Sequence, residues 1–153
     1  MTIQGGGTAS DAVTLITNDH RMMEQLFDRL RAADEDRQVL LDECAARLTA
    51  HSHAEEQQVY PQLPSPDDAH HGADEHHEAE RLLHDLQRIS PEGPDFEDKL
   101  EEFIAAVHHH VEHEETVLLP GLRDALTPER LNEPGTAFEE VRIAELAVAG
   151  IRV

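Results

Sequence analysis

Two histidine–glutamate pairs have a spacing that suits metal binding. His51 precedes Glu55 by four residues, and His110 precedes Glu114 by four residues. In a helix, residues four apart lie on one face about one turn from each other, so both side chains of a pair can reach the same centre. Imidazole nitrogen and carboxylate oxygen are common ligands of transition metals. Each pair is therefore a candidate for part of a metal site.

The two pairs belong to a longer repeat along the chain. His51 stands ten residues before Pro61, and His110 stands ten residues before Pro120. Unrelated surface residues have no reason to recur in register. The chain thus resembles two helical hairpins, each with a His-x-x-x-Glu pair on its second helix.

Each hairpin also offers one histidine on its first helix. His20 and His76 are each followed by three apolar residues at the same distances. A buried carboxylate or imidazole costs several kcal/mol unless it is paired or bound to metal, and these donors lie on the apolar faces of their helices. The sequence therefore predicts a site for two metal ions with the ligands His20, His51, Glu55, His76, His110 and Glu114.

Other polar residues near these positions are interpreted as outside the site. Glu24 and Glu80 lie at the edges of their apolar stripes, where they are either exposed or adjacent to the ligands. Tyr60 lies about half a turn from the face of Glu55, so we expect it to pack rather than to bind metal. Seven histidines point to other faces or lie in loops and are expected on the surface: His53, His70, His71, His77, His108, His109 and His113.

Apolar residues at helical spacing predict four segments that position the donors. The first begins at about Ser10 as its N-cap, and the second runs from about Asp36 to Tyr60 and stops at Pro61. The third opens near Ser65 or only after Gly72. The fourth ends at Pro120-Gly121. Short breaks between four helices predict an all-α fold, an antiparallel up-down four-helix bundle.

An additional C-terminal helix is compatible with the residues after the bundle. It begins at Thr127-Pro128-Glu129 and resumes after Pro134-Gly135, and we interpret it as a docking or dimer-forming segment without chemistry. A homodimer is therefore compatible with the sequence. The predicted organisation is a flexible tail over residues 1–9, the bundle over 10–121 and a C-terminal helical extension over 122–153.

Composition limits the classes of partner. Lys and Arg total 12 against 33 Asp and Glu, a formal net charge of −21, which repels phosphate backbones. We expect no nucleic-acid partner. Because no segment reaches the length of a membrane span, the N-terminus lacks a signal-peptide pattern and Cys44 has no second thiol to pair with, we expect no membrane partner and a cytoplasmic location.

With these residues identified, the chain resembles the hemerythrin or HHE cation-binding family over roughly Asp11 to Gly121. The resemblance rests on the six predicted ligands and on the Tyr-Pro and Leu-Pro endings of the second and fourth helices. It implies a four-helix bundle around two iron ions with a bridging oxo or hydroxo group. Such a centre handles peroxide, dioxygen or nitric oxide.

The chain departs from the oxygen-carrying members of that family at two positions. Carriers have a further histidine where this chain has Glu80, and an aspartate ligand at the position of Glu115, which makes Glu115 the alternative to Glu114. The chain thus resembles the six-ligand branch. If both predicted glutamates bridge, ligand counting leaves each iron an open position, which favours peroxide turnover over reversible oxygen storage.

Two functions follow as hypotheses. The first is decomposition of hydrogen peroxide by a catalase-like or peroxidase-like di-iron centre, with a separate electron donor where redox cycling needs one. The alternative is a module that binds or senses dioxygen, nitric oxide or iron without turnover. Zinc is a weaker interpretation, since it accepts His and Glu but does not need six ligands arranged as a pair; iron, or else manganese, fits better.

Overall fold

The computed structural model describes residues 11–152, so the flexible tail predicted over 1–9 lies outside the described residues. Within this range the chain forms helices and turns and has no strand. The helices are α1 (Ala12–Ala32), α2 (Arg37–Ala54), α3 (Pro66–Gln87), α4 (Phe96–His113), α5 (Leu119–Ala125) and α6 (Asn132–Val148). The expectation of an all-α bundle with an additional C-terminal helix is confirmed.

Short irregular turns continue two of the bundle helices. α2 passes into a π-helical turn over Glu55–Val59 and a 3-10 turn over Tyr60–Gln62, and α4 passes into a π-helical turn over Glu114–Leu118. The second segment therefore ends one residue beyond the predicted stop at Pro61. The predicted stop of the fourth segment at Pro120-Gly121 is wrong, because proline is tolerated in the first turn of a helix and α5 runs through it.

Capping side chains set the starts of the first three helices. The Asp11 carboxylate accepts a hydrogen bond from the backbone N–H of Val13 at 2.7 Å and caps α1. The cap is thus one residue after the predicted Ser10, which lies outside the described residues. Asp36 and Ser65 cap α2 and α3, so these two helices start where the sequence predicts.

Gly72 lies inside α3, so the alternative start after this residue is wrong. A Cβ atom at this position would lie 2.8 Å from the ring of Tyr60. Any larger residue here would displace the Tyr60 ring, because α3 packs directly on that ring. The residue that resembled a helix breaker is a point of close approach between helices.

Two apolar cores lie on either side of the polar donors. In the larger core, α1 meets α4 through Phe27 and Phe103, whose rings pack edge to face at 5.5 Å. The smaller core joins the start of α1 to the two π-helical turns, α5 and α6, and includes the fully buried Phe138. The donors are therefore closed off from water by packed side chains at both ends.

α6 docks along the outside of α1 and α2. It begins at Asn132, and Pro134 and Gly135 lie in its first turn, so the predicted interruption at these two residues is wrong. The inward face of α6 contributes Phe138, Arg142 and Leu146, all of which are buried. Among the helices of residues 11–152, none is both long and apolar enough to span a bilayer.

Candidate metal centre

The six predicted donors lie together in the middle of the bundle. One histidine comes from each of α1 to α4, and the two glutamates are the first residues of the two π-helical turns. All six residues are at most 5% exposed to solvent: His20, His51, Glu55, His76, His110 and Glu114.

The donors form two overlapping groups of four. The first group, here called the α1–α2 half-site, consists of His20 and His51 with Glu55 and Glu114. The second group, the α3–α4 half-site, combines the same two glutamates with the histidines of α3 and α4. Within each group the ligand atoms all lie within 4.8 Å of one another. Because both glutamates belong to both groups, the arrangement suits two metal ions bridged by carboxylates.

The inward nitrogen of each histidine faces a glutamate oxygen. Glu55 Oε1 lies 3.0 Å from His51 Nε2 and 3.0 Å from His76 Nε2. Glu114 Oε1 lies 2.9 Å from His20 Nε2, and Glu114 Oε2 lies 3.7 Å from the Nε2 atom of the fourth histidine, His110. Donor atoms from four helices thus converge on two neighbouring points.

Several of these buried atoms have no hydrogen-bond partner in good geometry among the described residues. They are Nε2 of His20, Nε2 of His51, Oε2 of Glu55 and Oε1 of Glu114. Unpartnered polar atoms are rare in closed protein cores because each one costs free energy. A metal ion would satisfy them, so the residues fit a pair of bound cations.

In the α1–α2 half-site, both histidines are held from behind by carboxylates. Nδ1 of His51 donates to Asp19 Oδ2 at 2.6 Å, and Nδ1 of His20 donates to Glu115 Oε2 at 2.7 Å. A proton on Nδ1 leaves Nε2 free to bind metal. Glu115 therefore lies behind His20 and outside the two donor groups. This position argues against Glu115 as the alternative metal ligand to Glu114.

The α3–α4 half-site repeats this arrangement. Nδ1 of His76 donates to Glu56 Oε2 at 2.7 Å, and Nδ1 of His110 donates to Glu75 Oε1 at 2.7 Å. Sequence reasoning gave these four outer carboxylates no such role. A signal was present, because each one is the immediate neighbour of a predicted ligand: Asp19, Glu56, Glu75 and Glu115.

The Tyr60 hydroxyl reaches the donors, so the expectation that this residue lies half a turn from the face of Glu55 is wrong. Its hydroxyl donates to Glu114 Oε2 at 2.7 Å and lies 3.3 Å from His76 Nε2. The cause is the π-helical turn, in which the Tyr60 N–H donates to the carbonyl of Glu55, five residues back. The additional residue in this turn rotates Tyr60 towards the donors.

The charges of the buried groups are coupled. Burial alone would lower the pKa of His51, but the carboxylates of Glu55 and Asp19 outweigh it and raise this pKa well above its usual range. Burial alone would raise the pKa of Glu55, but His51 and His76 outweigh it and lower this pKa well below its usual range. The carboxylate ligand therefore stays ionised, as metal binding requires.

The residues expected outside the site are placed as follows. Neither Glu24 nor Glu80 belongs to the donor groups, both are partly buried, and Glu24 accepts a hydrogen bond from Arg21. Of the seven histidines expected on the surface, His113 is partly exposed, and its Nδ1 lies 3.2 Å from Glu75 Oε1. The other six are exposed, as expected: His53, His70, His71, His77, His108 and His109.

Comparison with known proteins places this arrangement in context. The model of the hemerythrin HHE cation-binding domain matches residues 11–122. A protein named DNA nickase from Nostoc sp. (strain PCC 7120) is 30% identical over 133 residues, which cover 84% of this chain and 38% of the relative. The chain thus spans well under half the length of that relative. No solved structure matches the chain significantly.

Proposed function

The chain belongs to the hemerythrin HHE cation-binding domain family, and from this premise we propose that its buried cluster binds two iron ions and decomposes hydrogen peroxide. The observation that carries the proposal is the pair of four-donor groups that share Glu55 and Glu114. His20 and His51 would hold one ion, and the histidines of α3 and α4 would hold the other. Bound iron supplies redox and Lewis-acid chemistry for small oxidants.

The proposed reaction balances without an external electron donor. Two molecules of hydrogen peroxide give two molecules of water and one of dioxygen. One peroxide is reduced by two electrons, and the other is oxidised by two electrons and releases two protons that the first consumes. A peroxidase-like reaction would instead require electrons from a separate donor.

The outer carboxylates support this function by orienting the ligands. A carboxylate on Nδ1 fixes the tautomer and the ring angle of a metal-binding histidine and makes Nε2 a stronger donor. All four histidine ligands have such a partner, at 2.6 or 2.7 Å. The protein thus supplies rigidly held donors that retain a metal during turnover.

Tyr60 is the residue placed to assist the substrate. Burial raises the pKa of its hydroxyl well above its usual range, and the carboxylates of Glu114 and Glu55 raise it further, so the group stays protonated. It can therefore donate a hydrogen bond to an oxidant in the α3–α4 half-site. Its ring stacks on that of His76 at 5.5 Å, which holds the hydroxyl at the edge of the cluster.

A surface cavity offers a route to the same half-site. Its volume is about 310 Å³, and Tyr60 and Glu56 contribute to its lining. Both residues contact His76, one through Nε2 and the other through Nδ1. The cavity therefore lies next to the α3–α4 half-site, separated from His76 by the side chains of Tyr60 and Glu56.

Two further aspects of the function are proposals of the same kind. The partner is a small oxidant and not nucleic acid or a membrane, because the net charge of −21 repels phosphate groups. The unpaired, buried Cys44 suits a cytoplasmic location.

Metal analysis combined with an oxygen electrode tests the proposal. Protein produced with sufficient iron should contain about two irons per chain and release one dioxygen for every two peroxides consumed. His51→Ala should lose iron and turnover, whereas the neighbouring His53→Ala should keep both, since His53 is 47% exposed and bonds Glu145 on the surface.

Two results would redirect the interpretation. Iron-replete protein without turnover would favour the alternative, a module that binds or senses dioxygen, nitric oxide or iron. Protein that contains only zinc and gains no activity on reconstitution with iron would contradict the di-iron centre itself.

A further inference from the structure

A second group of histidines lies on the surface formed by α3 and α4, beside the buried cluster. His71 and Glu75 are four residues apart on α3, and His109 and His113 are four residues apart on α4. Each pair shares one face of its helix. Because α3 and α4 pack against each other, the two pairs meet across the groove between the helices.

Glu75 is the centre of this group. Its Oε2 lies 3.4 Å from His71 Nε2 and 3.5 Å from His109 Nε2, and its Oε1 lies 3.2 Å from His113 Nδ1. The rings of His71 and His113 lie 5.0 Å apart at 87°. Ligand atoms of His71, Glu75 and His113 all lie within 4.8 Å of one another. Three imidazoles therefore surround one carboxylate.

We propose that His71, Glu75, His109 and His113 form a third metal site, which binds one divalent transition-metal cation apart from the buried pair. Three imidazoles and a carboxylate make a donor set of the kind that Zn²⁺ accepts in four-coordinate sites. Co²⁺ and Ni²⁺ also favour imidazole, whereas Mg²⁺ and Ca²⁺ prefer oxygen ligands. The site is thus selective for transition metals over the abundant hard cations.

The burial of the four residues fits a site that loads directly from solvent. The side chains of His71 and His109 are 60% and 78% exposed, whereas those of His113 and Glu75 are 22% and 12% exposed. The inner pair is therefore positioned before a cation arrives, and the outer pair can close over it. The net charge of −21 raises the local concentration of cations around the chain.

Glu75 connects this surface site to the buried cluster. Its Oε1 also accepts the hydrogen bond from Nδ1 of His110 at 2.7 Å. A cation bound at the surface would share the carboxylate with this ligand of the α3–α4 half-site. The histidines of the α1–α2 half-site have different carboxylate partners, so the surface site would affect one half-site and not the other.

Zinc titration of the full chain tests the proposal. Iron-loaded protein should bind one additional Zn²⁺ per chain while its iron content, measured by elemental analysis, stays constant. The double variant His71→Ala/His113→Ala should not bind this zinc tightly. Removal of a residue that only hydrogen-bonds to a metal ligand lowers metal affinity by about 10–100-fold. Removal of two imidazole ligands themselves should therefore lower the affinity for zinc at least about 100-fold.

The matched control is His77→Ala/His108→Ala, which also removes one exposed histidine from each of α3 and α4. It should bind zinc like the wild type, and circular dichroism should show native helix content in both double variants. The test does not depend on iron, because wild type and His71→Ala/His113→Ala should differ by one zinc per chain even if the buried cluster holds another metal or none. Equal zinc stoichiometry and affinity in these two proteins would overturn the third site.

Discussion

The two half-sites have matching ligands but different surroundings. In the α1–α2 half-site, the carboxylate behind His51 is Asp19, which also lies 3.3 Å from the guanidinium of Arg142 on α6. In the α3–α4 half-site, the carboxylate behind His110 is Glu75, whose further neighbours are surface histidines. A guanidinium is always charged. The α1–α2 half-site therefore has the permanent positive charge of Arg142 behind one of its histidines.

The half-sites also differ in how they are covered. Phe138 of α6 packs edge to face on His51 at 5.4 Å and closes the α1–α2 half-site. The α3–α4 half-site instead borders Tyr60 and the surface cavity beside it. A helix outside the repeat thus makes two equivalent donor sets unequal, because it covers one of them and leaves the other beside a cavity.

The largest effect is expected from a substitution that disrupts both half-sites together. Glu55→Ala should reduce bound metal towards zero, because Glu55 contributes to both donor groups. His110→Ala should mainly reduce the metal of one half-site. Elemental analysis per chain measures both variants, with Glu78→Ala as the control, since Glu78 is half exposed and pairs only with Arg81 on the surface. Equal losses in Glu55→Ala and His110→Ala would contradict two half-sites with shared glutamates.

The next effect tests the permanent charge behind the α1–α2 half-site. Arg142→Met keeps the apolar stem but leaves Asp19, which is 4% exposed, without its guanidinium. Breaking a buried charge pair costs about 3 kcal/mol, so the free energy of unfolding in urea should fall by roughly that amount. Arg21→Met is the control, because Arg21 is 46% exposed and pairs with Glu115 at the surface; exposed pairs contribute about 1 kcal/mol or less. Similar losses in both variants would show that the buried Asp19–Arg142 pair contributes no more to stability than an exposed pair.

A smaller effect tests substrate access at the α3–α4 half-site. Tyr60→Phe removes the donor to Glu114 Oε2 and keeps the ring that stacks on His76. Iron content should stay near that of the wild type, whereas the rate of dioxygen release from peroxide should fall by about 100-fold, the lower end of the range for removal of one hydrogen-bond donor from a reacting centre. An unchanged rate in iron-replete Tyr60→Phe would assign Tyr60 to packing alone.

The spacing of residues was sufficient to predict which side chains meet in the bundle core. Helical periodicity is local, so His51 and Glu55 can be assigned to one face from five residues of sequence. The repeat then aligns the second hairpin with the first. The same reasoning failed for Tyr60, because it assumed an α-helical turn where the chain forms a π-helical one.

The spacing of residues could not predict contacts between segments that are far apart in the sequence. Arg142 meets Asp19 across 123 residues of chain, and α6 has no counterpart in the repeat that would indicate where it docks. The alternative helix start after Gly72 and the helix stop at Pro120 were misplaced for a related reason. Proline restricts the local backbone and glycine gives it more freedom. Packing against other segments decides whether a helix ends at such a residue.

The smallest effect concerns protons at the α3–α4 half-site. Burial alone would lower the pKa of His76, but Glu55 and Glu56 outweigh it and raise this pKa to about 9. Below about pH 9 a metal ion must therefore displace a proton from this ring, so affinity should fall as pH falls, by at most about tenfold per pH unit for each proton displaced. Above about pH 9 this dependence should flatten. Competition with a chelator, using Zn²⁺ as the probe between about pH 6 and 10, measures how the affinity for zinc changes with pH.

Two variants test whether His76 causes the change of slope, here called the break. Glu56→Gln removes the carboxylate behind His76 and should move the break to lower pH. Glu115→Gln acts on His20 in the other half-site and should leave the break in place. A break that moves equally in both variants would show that the protons of the two half-sites titrate as one unit.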